Sequence, residues 1–203
     1  MKILIYTGYQ KNEWDGNTSS GIAGSEIAVI KIAEELINFG YTVVVSGMVK
    51  NSGNIRGVEY CSLQNIHDKH WDSFDIIVGT SYVHFALEFE KYKAKKVFWA
   101  HNTECHHWWK GEEIKNDLVN KILDYDSSYL DATVTLTDWH SWKWQDTYGW
   151  PKENQNKIGN GIDKSTFVGH PKKKINSFIW SSAIDRDLID LLKNWPRIKD
   201  ILP

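Results

Sequence analysis

Gly21-Ile22-Ala23-Gly24-Ser25-Glu26, then Ile27-Ala28-Val29-Ile30-Lys31-Ile32-Ala33-Glu34-Glu35-Leu36-Ile37, then Asn38-Phe39-Gly40, then Tyr41-Thr42-Val43-Val44-Val45: this stretch decides the fold. A glycine-rich loop opens an amphipathic helix over about Gly24 to Phe39, in which apolar residues recur at i, i+3, i+4 and Lys31, Glu34 and Glu35 face water. Ser25 is placed to act as N-cap and Gly40 as the C′ glycine. A β-branched strand follows from Thr42 to Ser46. The order matters because a helix N-terminus carries unpaired N–H groups and a partial positive charge. Glycines beside it let an anion or a sugar approach the backbone.

Working outward, Lys2 to Tyr6 reads as a first buried strand, and a long polar connection from Thr7 to Ala23 joins it to the helix. Loops of that length in compact domains usually carry function or disorder. Val58 to Ser62 reads as a weaker strand and Phe74 to Gly79 as a clear one, followed by a helix from Tyr82 to Tyr92. Lys96 to Ala100 is a strand that runs into His101. Glu112 to Leu123 has a helical pattern, Ala132 to Leu136 a strand pattern, Asp138 to Tyr148 a helix pattern capped by Asp138, and Asn156 to Ile158 a short strand. Repeated strand–helix–strand units predict an α/β fold, a Rossmann-like doubly wound parallel sheet with helices on both faces. In such sheets ligands sit at the carboxyl ends of the strands. The first loop, Gly79-Thr80-Ser81, His101-Asn102 and Thr137-Asp138 all fall at such ends, so their polar residues are expected to share one rim.

The character changes after Asp163. The reading gives a domain over 1–163, a linker over 164–176 holding Gly169, Pro171 and Lys172-Lys173-Lys174, and an incomplete second domain over 177–203. In that last part Ser177 to Ser181 reads as a strand and Asp185 to Asn194 as a helix ended by Trp195-Pro196. One strand and one helix cannot build a core.

Composition bounds the function. The 203 residues are 41% hydrophobic and 25% charged, which supports a packed core. A net charge of −2 leaves no basic footprint for nucleic acid. No segment reaches the roughly 18 apolar residues of a membrane span, and Met1 to Tyr6 is too short for a signal peptide. Two distant cysteines, Cys61 and Cys105, read as reduced thiols, so a cytoplasmic location is expected. The eleven tryptophans serve either packing or stacking on sugar rings. His101, Glu104, Cys105, His106 and His107 include zinc-ligand types, but adjacent histidines point apart and no Cys-x-x-Cys or His-x-x-x-His spacing occurs, so no metal is expected. No G-x-G-x-x-G follows the first strand, and there is no G-x-x-x-x-G-K-[ST] loop.

Four places in this order resemble the N-terminal domain of GT-B glycosyltransferases of the retaining family 4 type. Ala23-Gly24-Ser25-Glu26 is similar to that family's Gly-Gly-Ser-Glu motif. Trp99-Ala100-His101-Asn102 resembles its histidine-bearing strand end. Lys157 to Asp163, with Asn160-Gly161-Ile162-Asp163, resembles the signature that closes its first domain. Ser181 to Arg186, followed by Leu188 and Leu191-Leu192, resembles the opening of its donor-binding domain. Ala23 replaces the usual first glycine, Asp187 stands where the family tends to have glycine, and the acidic donor-site motif does not occur.

The resemblance implies sugar transfer from a nucleotide-sugar donor to a glycan or other acceptor without a metal or resident cofactor. His101 would contact the donor sugar or the acceptor as an orienting and polarising catalytic group, not as a general base. Gly24 and Ser25 would supply backbone donors toward the phosphate or the donor sugar, Arg186 would hold the diphosphate, and Glu26, Asn102 and Asp138 would line the substrate side. A separate donor-domain chain, or self-association through the C-terminal stub, would complete the cleft, and this part is expected to be inactive alone. The alternative is a non-catalytic glycan-binding or accessory fragment that docks a partner chain.

Overall fold

The computed structural model describes residues 1–10, 12–18, 21–66, 73–80, 83–103, 108–109, 112–113, 122, 129–162, 164, 169, 172, 174–175, 177–180 and 187–201. They belong to two units, Met1–Gly161 and Ile162–Pro203.

In the first unit β1 (Lys2–Gly8) is followed by α1 (Gly24–Asn38), β2 (Thr42–Gly47), β3 (Gly53–Ile55), β4 (Val58–Ser62) and α2 (Leu63–Ile66). Then come β5 (Ile76–Thr80), α3 (Phe85–Glu88), β6 (Lys95–Trp99), β7 (Trp108–Trp109) and β8 (Glu112–Glu113). β9 (Ala132–Thr135), α4 (Asp138–Tyr148) and β10 (Gln155–Lys157) complete it. Eight strands form one sheet in the order β10-β9-β6-β5-β1-β2-β4-β3. Every pairing in it is parallel except β3 with β4. The expected doubly wound α/β sheet is therefore present, with β1 between β2 and β5 where the strand order reverses.

β1 shows why the sheet is buried on both faces. Ile3 and Ile5 point to the side packed by Val29, Ile30 and Ala33 of α1 and by Trp14. Leu4 and Tyr6 point to the side packed by Phe85 and Phe89 near α3 and by Trp144 of α4. Period-two alternation sends neighbouring side chains to opposite faces, so an unbroken apolar run feeds both cores. Each such aliphatic side chain contributes roughly 1.5–3 kcal/mol. Gly79 in β5 lets Phe85 lie against the strand, because a Cβ there would run into the Phe85 ring.

α1 ends as its sequence predicts. Gly40 takes a left-handed φ of 83°. Its N–H donates to the Ile37 carbonyl at 2.8 Å and the Tyr41 N–H to that of Leu36 at 3.1 Å, the two bonds of a Schellman motif. The other end differs. The N-cap is Ala23, extended at ψ 171° and without a side-chain acceptor, and Ser25 lies inside the first turn. Likewise Thr137, not Asp138, caps α4: its Oγ1 accepts from the His140 N–H at 3.0 Å. In both cases the cap is the last extended residue, one or two positions before the residue expected.

Other expectations shift for identifiable reasons. β3 was not anticipated; it joins β4 through Arg56-Gly57, both at positive φ (51° and 85°), a two-residue hairpin turn. The Arg56 backbone is held there by its guanidinium, which pairs with Glu34 at 2.7 Å and donates to the Gly16 carbonyl. Among the described residues of the helix expected over Tyr82 to Tyr92, only Phe85–Glu88 is α-helical, and beyond it Glu90 and Tyr92 make tighter i→i−3 bonds. Glu112–Glu113, expected to be helical, pairs antiparallel with Trp108–Trp109, and the rest of that predicted helix falls largely outside the described residues.

In the second unit, residues 177–180 form no strand; a strand needs a partner for its backbone groups. α5 (Leu188–Ile201) runs through Pro196 instead of stopping before it. The apolar spacing Leu188, Leu191, Trp195, Ile198 continues across the proline, although none of these side chains is buried. Asp187 precedes the helix at φ 63°, a left-handed conformation open to Asp and free of strain for Gly.

The Gly79→Ala substitution is expected to destabilise the fold by about 1–3 kcal/mol, the usual range for overpacking; urea denaturation monitored by tryptophan fluorescence measures it.

Candidate functional site at the carboxyl edge of the sheet

Parallel strands share one carboxyl edge, so the segment after β1, the turn after β6 and the start of α4 all emerge there. The β1–α1 connection is folded against the sheet through Trp14, which is fully buried and bridges to Val49. Its indole Nε1–H donates to Gln10 Oε1, and Gln10 Nε2–H donates to Glu26 Oε1 at 2.7 Å. The Ser25 hydroxyl donates to Glu26 Oε2 at 3.0 Å. Glu26 is thus buried in the first turn of α1 with donors on both oxygens, and its charge complements the positive end of the helix. Gly24 opens the helix, and a Cβ there would meet no atom within 4 Å.

His101 follows β6. Its ring lies 4.6 Å from the Trp99 ring, tilted at 43°. Its Nε2 is buried and has no hydrogen-bond partner among the described residues. Burial pushes the His101 imidazole below the ordinary 6.5; the Glu26 carboxylate opposes that shift and His140 adds to it. Asn102 comes next, and its carbonyl oxygen lies 2.8 Å from His140 Nε2 and accepts from Trp144 Nε1–H at 3.3 Å. A buried imidazole kept neutral can donate or accept a hydrogen bond at neutral pH, which suits contact with a hydroxyl.

The sequence-expected residues therefore distribute as follows. Glu26 and His101 interact electrostatically, and Gly24 and Ser25 occupy the same helix turn as Glu26. Asn102 presents its backbone oxygen inward. Asp138 is exposed at the start of α4, in an ion pair with Lys157 at 2.7 Å that holds its carboxyl below the usual range. Arg186 lies outside the described residues, as do Glu104 to His107 of the weighed zinc set. Among the described residues no group of three or more metal-ligating side chains occurs, and no helix is long and apolar enough to cross a membrane.

Sequence reasoning missed Gln10, Trp14, His140 and Trp144, whose roles depend on contacts between distant elements. It also missed a cluster on the other face of the sheet. The Tyr6 hydroxyl donates to Glu88 Oε2 at 2.6 Å, and His84 Nε2 lies 3.5 Å from Glu88 Oε1. Burial, then Glu88, pushes the Tyr6 phenol strongly up, while burial pushes His84 down against the pull of Glu88.

His84, His101 and His140 all titrate below 6.5 in the folded chain. The unfolded chain then binds more protons just below that pH, so their contribution to stability is present above 6.5 and is lost as pH falls through the folded values. Glu26→Gln removes the one group among the described residues that favours charged His101, so His101 is expected to titrate lower still in that variant; histidine NMR against pH reads this, and an unchanged or higher value would contradict the arrangement.

No protein-family model matches the chain, and no curated protein matches it. Among solved structures it is similar to Anabaena HepE, crystallised in complex with UDP-glucose, with a TM-score of 0.56 at 15% identity over 84% of this chain and 47% of that one. The chain thus spans about half the length of HepE, and the likeness at this identity is one of fold.

Proposed function

We propose that the first unit forms one wall of a glycosyl-transfer site of the GT-B kind, serving a nucleotide-sugar donor and a glycan or other hydroxyl-bearing acceptor. The observation that carries the reading is a buried His101 Nε2 with no partner among the described residues, at the sheet edge where Glu26 and the first turn of α1 also lie. The likeness of fold to a chain solved with UDP-glucose supports it.

Sugar transfer requires a neutralised diphosphate, a positioned hydroxyl and a tolerated cationic transition state. The N–H groups at the start of α1 supply fixed dipoles for the diphosphate without a metal. Gly24 leaves the approach to them clear. His101, neutral at pH 7, would orient a sugar hydroxyl, while Glu26 supplies negative charge toward the developing cation. Arg186 would serve the diphosphate as the resemblance implies. A retaining course, in which the leaving phosphate takes the acceptor proton, is part of the same proposal and requires no side-chain base.

The accessory reading has one observation in its favour: Phe178 and Ile179 are exposed, and no residue of α5 is buried. An apolar surface of that kind suits a partner chain.

Calorimetry with uridine, guanosine and adenosine diphosphate sugars tests the proposal. Gly24→Ala is expected to leave the fold as stable or to gain up to about 1 kcal/mol, since alanine is the better helix residue. The same change is expected to weaken the bound nucleotide sugar about tenfold, or about 1.4 kcal/mol, and His101→Asn to do likewise. Binding of a glycan but of no nucleotide sugar would favour the accessory reading, and affinity unchanged by both substitutions would overturn the placement of the site.

A further inference from the structure

We propose that His140 is a positioning residue that, as a neutral Nε2–H tautomer, holds the His101–Asn102 turn in place. The inference rests on the reading of His101 as a ligand-facing group.

The argument begins with the hydrogen bonds on the two ring nitrogens. The backbone N–H of Leu136 points at His140 Nδ1 at 3.2 Å. A backbone N–H can only donate, so Nδ1 carries a lone pair and the ring proton sits on Nε2. That Nε2 lies 2.8 Å from the Asn102 carbonyl oxygen, an acceptor only. Each neighbour therefore requires the same tautomer. Protonating the ring would set a second N–H against that of Leu136. The ring is nearly inaccessible, at 4% exposure, and burial disfavours its charged form in the same direction.

The bond also constrains what comes before it. Trp144, one turn along α4 and fully buried, donates to the same carbonyl oxygen at 3.3 Å. Both donors lie on α4, whose first turn is fixed by the Thr137 cap on the His140 N–H. With its carbonyl held by two donors from one rigid helix, Asn102 has little freedom to rotate, and His101 is the residue directly before it. His101 makes no Nε2 hydrogen bond of its own among the described residues, so its place rests on the backbone that carries it and on the Trp99 ring 4.6 Å away. The two imidazoles also interact: charge on His140 opposes charge on His101. A neutral His140 thus serves the place of His101 through the Asn102 carbonyl.

The test uses the full 203-residue chain with nitrogen-labelled histidine. Long-range proton–nitrogen NMR at pH 7 is expected to show His140 as the Nε2–H tautomer. His140→Phe keeps a ring of similar size and removes both hydrogen bonds; it is expected to shift the His101 ring signals and to weaken UDP-glucose binding at least fivefold. His140→Gln retains one donor and one acceptor and is expected to restore the His101 signals and bring binding within about twofold of the parent. An Nδ1–H or doubly protonated His140 in the parent chain overturns the proposal, as do unmoved His101 signals in the phenylalanine variant. The tautomer measurement decides the matter even if that variant fails to fold. If the parent chain binds no UDP-glucose while the His101 signals move as expected, that donor assignment fails and the positioning role stands.

Discussion

A buried carboxylate organises this edge of the sheet. Glu26 sits in the first turn of α1 with Gln10 on one oxygen and Ser25 on the other. An unpaired carboxylate in that position would cost several kcal/mol of lost hydration. Two donors and the positive end of the helix offset that cost, so the loop, the helix and the carboxylate are stable only together. Gln10 is held in turn by the Trp14 indole, and the Trp14 backbone is hydrogen-bonded to Met48 and Lys50 just after β2. The long connection after β1 is thereby tied to the core on one side and to the helix start on the other.

Sheet topology brings the second half of the site to the same place. With β1, β5, β6 and β9 parallel, whatever follows β6 must emerge beside whatever follows β1. His101 meets the field of Glu26 for that reason, although 75 positions separate them in sequence. α4 then closes the arrangement from beyond β9 by taking the Asn102 carbonyl. The carboxylate is placed by the loop residue Gln10 and by Ser25 of its own helix, and the imidazole by strand direction and by the hydrogen bonds α4 makes to the next residue.

Much of this was legible in the sequence because it is local. The apolar run of β1, the 3.6 period of α1 and the glycine that ends it follow from side-chain size and backbone freedom, and the strands from β2 to β10 were placed within two residues, apart from β3 and the short pair β7 and β8. Legibility failed where the local pattern allows two answers and where contacts between distant residues decide. Glu112–Glu113 has a helical pattern but pairs with Trp108–Trp109. Pro196 looks like a stop, yet the apolar stripe of α5 continues across it. At the site, Glu26 and His101 were visible as motif residues, while Gln10 and His140 were not, since neither has a local pattern. Ser25 and Asp138 were assigned as caps because of residue type, but capping is set by which residue is last in an extended conformation.

The most direct measurement is a map of backbone amide shifts in the nitrogen-labelled chain as UDP-glucose is added. The account predicts that the signals that move cluster at residues 22–27 and 100–103, on the carboxyl edge of the sheet, with the largest changes at Gly24 and His101. Changes confined to the opposite edge, around Met1, Thr42 and Asp75, or no change at any attainable concentration, would contradict it.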